Sequence, residues 1–304
     1  MSKRALVLIG TISFSTIALA SLLGLLSSLS VAHAEPPPLP PRIASESRTN
    51  RTPPPGCIQA PDSIFGNVIW NNSCYVISST VVESGAWLTI SPGVSVYFRP
   101  QSVPPKSRLA VNPNAGLTVI GTASDPITFT SGVTTGQENR CDWDGIYIDS
   151  HVGPPVRIQR AVIEYACVGV SPSGRQKLTI ADNLFRYIGD GPSGGAINGD
   201  TDNSLITHNE MHNCSNGIVL NESFDNDIIS NTIADIDHHG IALVKDLTTG
   251  GDFNLIEDNN IQHCGQNGVH LESGSLNFVQ HNIISNNREA GILIDRQINT
   301  FIHN

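Results

Sequence analysis

Six aromatic or polar side chains able to bind a ligand or move a proton recur at regular intervals in the second half of the chain: Tyr165, Tyr187, Asn213, Asp235, His263 and Asn286. Tyrosine rings can lie flat against sugar faces, Asn amides can both donate to and accept from hydroxyls, and an Asp near a His can move protons. Asp235 is the only acid of the six, and Asp237, two residues on, is its candidate catalytic partner. Carboxyl pairs that cleave glycosidic bonds stand about 5 to 9.5 Å apart, a span that one turn or two neighbouring turns of chain can supply. The competing reading is structural, because turn Asp and Asn residues bond their own backbone and tyrosines at corners pack.

Histidines offer a second chemistry. His238, His239, His263 and His270 fall close together in sequence, and imidazole suits copper or zinc. Spacing within an interrupted repeat fixes no ligand geometry, so the expectation is solvated histidines and no metal site. No motif calls for a cofactor, and none indicates calcium. The net charge of -10 repels nucleic acid and disfavours a groove for an acidic polymer unless cations bridge it, so that among polymers a neutral or a cation-bridged one fits better.

The elements that must position the six residues are legible as a repeat. Each lies four residues after a pivot: Ala161, Asn183, Asn209, Asn231, Asn259 and Asn282, with Asn304 as a seventh pivot. The intervals are 22, 26, 22, 28, 23 and 22 residues, with Ser193-Gly195 and Leu247-Asp252 as the places for insertions. A period in this range marks a solenoid. Around each pivot runs an apolar phrase, as in ITHNEM from Ile206, IISNTI from Ile228 and IEDNNI from Ile256. After it comes a Gly with aliphatic residues two apart, as in Gly217-Ile218-Leu220 and Gly240-Ile241-Leu243. Two-residue alternation is the signature of strands. Strand, Asn corner, strand, Gly turn and strand make one coil of a parallel β-helix with coils of about 22 residues.

Coils stack at roughly 4.8 Å, and an inward Asn has both a donor and an acceptor with which to meet its copies above and below. An Asn ladder is therefore expected. A leucine-rich repeat also sets apolar residues around an Asn, but it wants Leu five before the pivot, where this chain has Ser204, Asn226, Asn254, Asn277 and Asn299. No unit contains a helix-forming run either.

The remaining chain fits around the solenoid. Residues 1-34 have Lys3 and Arg4, a long apolar stretch and an Ala32-His33-Ala34 close, the pattern of a secretory signal peptide. Membrane contact is expected only if that signal stays uncleaved. Residues 35-56 are a Pro-rich tether, and residues 57-304 are the β-helix, beginning with a cap at about 57-74 stapled by a Cys57-Cys74 disulfide. A Cys141-Cys167 bridge is a second possibility. Cys214 and Cys264 lie two coils apart, with Ile236 between them, and read as buried fillers. Charged residues are only 14% of the chain, against roughly 25% in ordinary soluble domains, so turns and ladders must replace salt-bridged helix faces. The stop at Asn304, halfway through a coil, is expected either to mark a truncated product or to offer a strand edge for end-to-end association.

The segments WLTISPGVSVYF, GLTVIGTASDPITFTS and WDGIYI, followed by the N-x-I and G-I-x-L repeats, resemble the secreted bacterial right-handed parallel β-helix proteins of the pectin-lyase-like superfamily. The resemblance spans about Cys74 to Asn304. It implies an extracytoplasmic, secreted or cell-surface protein whose partner is a polysaccharide or cell-surface glycan. It leaves open whether the chain is a lyase, hydrolase or epimerase, a binder, or a structural or adhesive surface module. The hydrolases' Gly-His-Gly is only approached by Asp237-His238-His239-Gly240, and the epimerases' Asp-Pro-His is absent. Lys245, Arg288 and Arg296 are too scattered to supply a lyase base.

Overall fold

The computed structural model describes residues 56-133, 136-149, 156-174, 177-244, 251-298 and 300-304, all within one compact unit. The expected signal and all but the last residue of the tether lie outside the described residues. Among the described residues, three parallel sheets of ten strands each are wound together, every coil adding one strand to each sheet. The first sheet carries the strands that follow the pivots, such as Leu184–Arg186, Glu210–His212 and Thr232–Ile236. The second carries those behind the glycines, such as Ile218–Asn221 and Ile241–Val244. The third carries those before the pivots, such as Leu205–Thr207 and Asp227–Ile229. The fold is a right-handed parallel β-helix.

Alternation decides what fills it. In the first sheet Ile163, Phe185, Met211, Ile233 and Ile261 lie in register, all fully buried. In the third, Ile158, Ile180, Ile206, Ile228, Ile256 and Val279 do the same. Burying each such side chain contributes about 2 kcal/mol, and stacking like on like leaves the coil-to-coil spacing undisturbed. Ile294 and Ile302 on the last coil are in the same phase but exposed.

The Asn ladder is present in full. Nδ2 of Asn183 donates to Oδ1 of Asn209 at 3.0 Å, and the link repeats from Asn209 to Asn231, Asn231 to Asn259, Asn259 to Asn282 and Asn282 to Asn304. Each Oδ1 also accepts from the backbone N–H of the pivot one coil earlier, beginning with Ala161. Each Nδ2 donates a second bond to an Ile carbonyl of the previous coil, as from Asn231 to Ile206.

A second ladder runs beside it. Ser204, Asn226, Asn254 and Asn277, five before the pivots, are buried. Asn226 bonds Asn254 at 2.9 Å, and Asn254 bonds Asn277 at 3.1 Å. Ser204 heads the column by accepting from Leu178 N–H and donating its own N–H to Asn226. These are the positions whose lack of Leu argues against a leucine-rich repeat.

Two expectations about the start of the chain change. Within the segment at about 57-74, expected to cap the first coil, Ile58–Gln59, Ser63–Ile64 and Asn67–Trp70 form the outermost strand of each sheet. Cys57 and Cys74 are free thiols. Strand register sets Ile58, not Cys57, opposite Cys74, and neighbouring strand residues face opposite ways. The disulfide of this structure is Cys141–Cys167. Cys214 and Cys264 are free and buried, Ile236 is in register with Cys264, and burial pushes both thiols up to about 12.

Candidate functional site

Four residues after each pivot from Ala161 to Asn282 the chain of the first sheet turns a sharp corner, at the end of its strand or one residue before it. Tyr165, Tyr187, Asn213, Asp235, His263 and Asn286 all adopt left-handed backbone there, with φ between 52° and 62°. Asn, Asp and His visit this region comparatively readily, so their presence has a backbone reason. Tyrosine has no such preference, and holding it there costs about 1 kcal/mol. The two tyrosines therefore need another explanation, and their geometry supplies one: the rings stack at 5.4 Å between centroids and 8° between planes, one coil above the other.

The strands leading into the corner contribute a second column. Glu164, Arg186 and His212 are in register one residue before the corner. Thr130 Oγ1 donates to Glu164 Oε1 at 2.7 Å, and Arg186 Nε donates to Glu164 Oε2 at 2.7 Å. Burial opposes the charge on Arg186, but the hydrogen bond and charge of Glu164 outweigh it and raise the guanidinium pKa. Burial, and then the carboxylates of Glu164 and Glu138, push Tyr165 up to about 12, so it remains a neutral hydrogen-bonding phenol. His212 Nε2 lies 2.6 Å from Glu210 Oε1.

These side chains frame a shallow groove of about 360 Å³ along the corner, lined by Leu184, Arg186, Tyr187, Glu210, His212, Asn213 and Asp235. Of the six corner residues expected from the sequence, Tyr187, Asn213 and Asp235 line it directly. Tyr165 extends it by stacking, and His263 reaches it through Asp235, Nδ1 to Oδ1 3.5 Å. Asn286 continues the corner column one coil beyond His263 without lining the groove. Arg186, Glu210, Glu164 and His212 were not anticipated. The usable signal was strand phase, since each faces outward in the strand that ends at the corner.

The candidate catalytic pair is divided. Asp235 stands exposed on the groove, whereas the Asp237 carboxylate accepts from Arg140 Nη1 and does not line the groove. Arg140 arrives from a segment that several further contacts hold in place. Cys141 is bridged to Cys167, Ser131 Oγ donates to Asp142 Oδ2 at 2.7 Å, and Asn139 N–H donates to the same oxygen at 3.1 Å. Bridging positions 26 apart stabilises by about 3 kcal/mol in the chain-entropy model, less where strand pairing already holds both ends. A Cys141→Ser/Cys167→Ser double variant should therefore lose about 2 kcal/mol and expose the Arg140 segment to amide exchange. Unchanged exchange at residues 137-142 would show the bridge to be dispensable there.

The histidines divide in the same way. His239 packs on His270 with ring centroids 4.9 Å apart. Burial and then the His270 charge hold its pKa down to about 4, so it is neutral near pH 7. Among the described residues no three His, Cys, Asp or Glu side chains are grouped to hold a metal ion.

With this geometry in place, comparison with known proteins is informative about the scaffold. The family model "Right handed beta helix region" matches residues 144–304. The model "Pectate-lyase like beta helix domain" matches residues 63–153. A variant of the periplasmic alginate epimerase AlgG superposes with a TM-score of 0.56 at 14% identity, over 77% of this chain and 59% of that one. The Dettilon tailspike protein superposes with a TM-score of 0.53 at 15% identity, over 78% of this chain and 54% of that one. This chain thus spans little more than half the length of either, and identities so low concern the fold alone. No curated protein sequence matches it.

Proposed function

The chain belongs to the pectin-lyase-like right-handed parallel β-helix family, and from that premise we propose that the corner groove of its first sheet binds a polysaccharide outside the cytoplasm. The observation that carries this reading is the stacked Tyr165–Tyr187 pair at the edge of a groove rich in hydrogen-bonding groups. Aromatic faces and planar polar groups repeated at the coil spacing suit a ligand that itself repeats. The fold is shared with a protein named as a periplasmic alginate epimerase, which fits a glycan partner. The disulfide fits an oxidising compartment.

Binding is preferred to cleavage because the two acids expected to act together are separated in their engagement, Asp237 with Arg140 and Asp235 with His263. The test is retention on a panel of immobilised polysaccharides, with reducing-end release assayed alongside. Tyr187→Ala should weaken binding about tenfold, the equivalent of roughly 1.4 kcal/mol of lost stacking on the ligand, while loss of the Tyr165 contact lowers the melting temperature by only about 3 °C. Retention unaffected by Tyr187→Ala would move the ligand elsewhere. Reducing-end release abolished by Asp235→Asn would replace binding with catalysis.

A further inference from the structure

We infer that the polymer held on this face is uncharged, a neutral glycan and not a polyuronate or sulfated chain; this rests on the glycan-binding reading above. The charged side chains on the groove and beside it are paired with one another within the fold. Arg186 is bonded to Glu164 at 2.7 Å, His212 lies against Glu210 at 2.6 Å, His263 against Asp235 at 3.5 Å, and Arg140 is bonded to Asp237. The pairs follow one another along the helix axis, from the coil carrying Glu164 to the coil carrying His263. Leaving the histidines aside, one arginine, Arg186, faces three carboxylates, Glu164, Glu210 and Asp235, and the Arg140–Asp237 pair beside the groove cancels, so the face carries two more negative charges than positive.

An anionic sugar would have to take an arginine from its carboxylate. Glu164 is only 8% exposed, and a buried carboxylate stripped of its partner is strongly unfavourable. Every further unit of an acidic polymer would then meet Glu210 or Asp235. Bridging by a divalent cation needs grouped carboxylates free to share the ion; Glu164 and Asp237 are engaged by guanidinium groups, Glu210 and Asp235 each lie against a histidine, and among the described residues no three such side chains are grouped around an ion-sized site.

A neutral sugar makes neither demand. Its hydroxyls can accept from the remaining N–H groups of Arg186 and donate to the carboxylate oxygens of Glu210 and Asp235, leaving each pair intact. Its apolar face can meet the exposed ring of Tyr187.

The purified full chain would be passed over immobilised neutral glucans, mannan and xylan, and over polygalacturonate, alginate and a sulfated glycan, at low and high salt, with calcium and with EDTA. The expected result is retention by a neutral polymer about tenfold tighter than by any acidic one, insensitive to salt and to calcium. Glu164→Gln, checked by circular dichroism for an intact fold, should release Arg186 and strengthen retention on acidic polymers about tenfold. Tighter binding of the parent protein to an acidic polymer, or acidic retention unchanged by Glu164→Gln, overturns the inference while leaving glycan binding standing. Retention by no polymer overturns both.

Discussion

Asn231→Ala should be among the most damaging single substitutions in the solenoid, lowering stability by about 4 kcal/mol and the melting temperature by about 10 °C. Asn231 Oδ1 accepts from both the backbone and the side-chain amide of Asn209, and its Nδ2 donates to Asn259 Oδ1 and to the Ile206 carbonyl. Asn209, Asn231 and Asn259 are each 1% exposed, so water cannot replace what is removed. Each buried polar group left without a partner costs about 1-3 kcal/mol, and the two Asn209 donors are the most severely affected. Gln262→Ala, on the outer face of the adjacent coil, should cost about 0.5 kcal/mol or less. Thermal melts followed by circular dichroism compare the two. An Asn231→Ala melt within about 2 °C of the parent would mean that the ladder contributes little.

Gly217→Ala is the second large effect, at about 3 kcal/mol. A methyl at this position would lie 2.3 Å from the Gly240 carbonyl oxygen and 2.9 Å from Ile233 Cγ2. That carbonyl accepts the Ile218 N–H at 2.9 Å, so it cannot retreat without opening the second sheet. The neighbouring coil repeats the constraint, since a methyl on Gly240 would meet the Gly268 oxygen at 2.6 Å. Gly191, which has no neighbouring atom within 4 Å of the same added carbon, is the matched control. Equal melting temperatures for Gly217→Ala and Gly191→Ala would contradict the close approach.

What the sequence disclosed, it disclosed through phase. The pivot asparagines kept their apolar neighbours through every insertion, so the coil, its inward stacks and the ladder were all legible. The corner column was legible for the same reason, as a fixed offset from the pivot. The second ladder was overlooked because its column opens with Ser204 and was weighed only for its lack of Leu. Glu164, Arg186 and His212 were overlooked because the corner drew attention from the outward residue just before it. Arg140 could not have been found by counting, because it meets Asp237 across 97 positions from a loop outside the repeat. The cysteine pairing turned on strand register at the first coil, where a shift of one residue separates facing from non-facing side chains.

Every rung of the pivot ladder points the same way: the oxygen accepts from the preceding asparagine and one amide hydrogen is given to the following one, while the second returns to an Ile carbonyl of the preceding coil. Reversing one amide would set oxygen against oxygen on one side and hydrogen against hydrogen on the other. Orientation is thus a shared property of the column, and aligned links of this kind polarise and reinforce one another. Such a column tolerates change in only one currency, the complete turn. A segment gained, lost or exchanged between pivots keeps the column continuous when it brings its own asparagine in the same phase, whatever its length at the outer bends. The evolutionary grammar of this protein is therefore written in whole coils, with the bends as its free text.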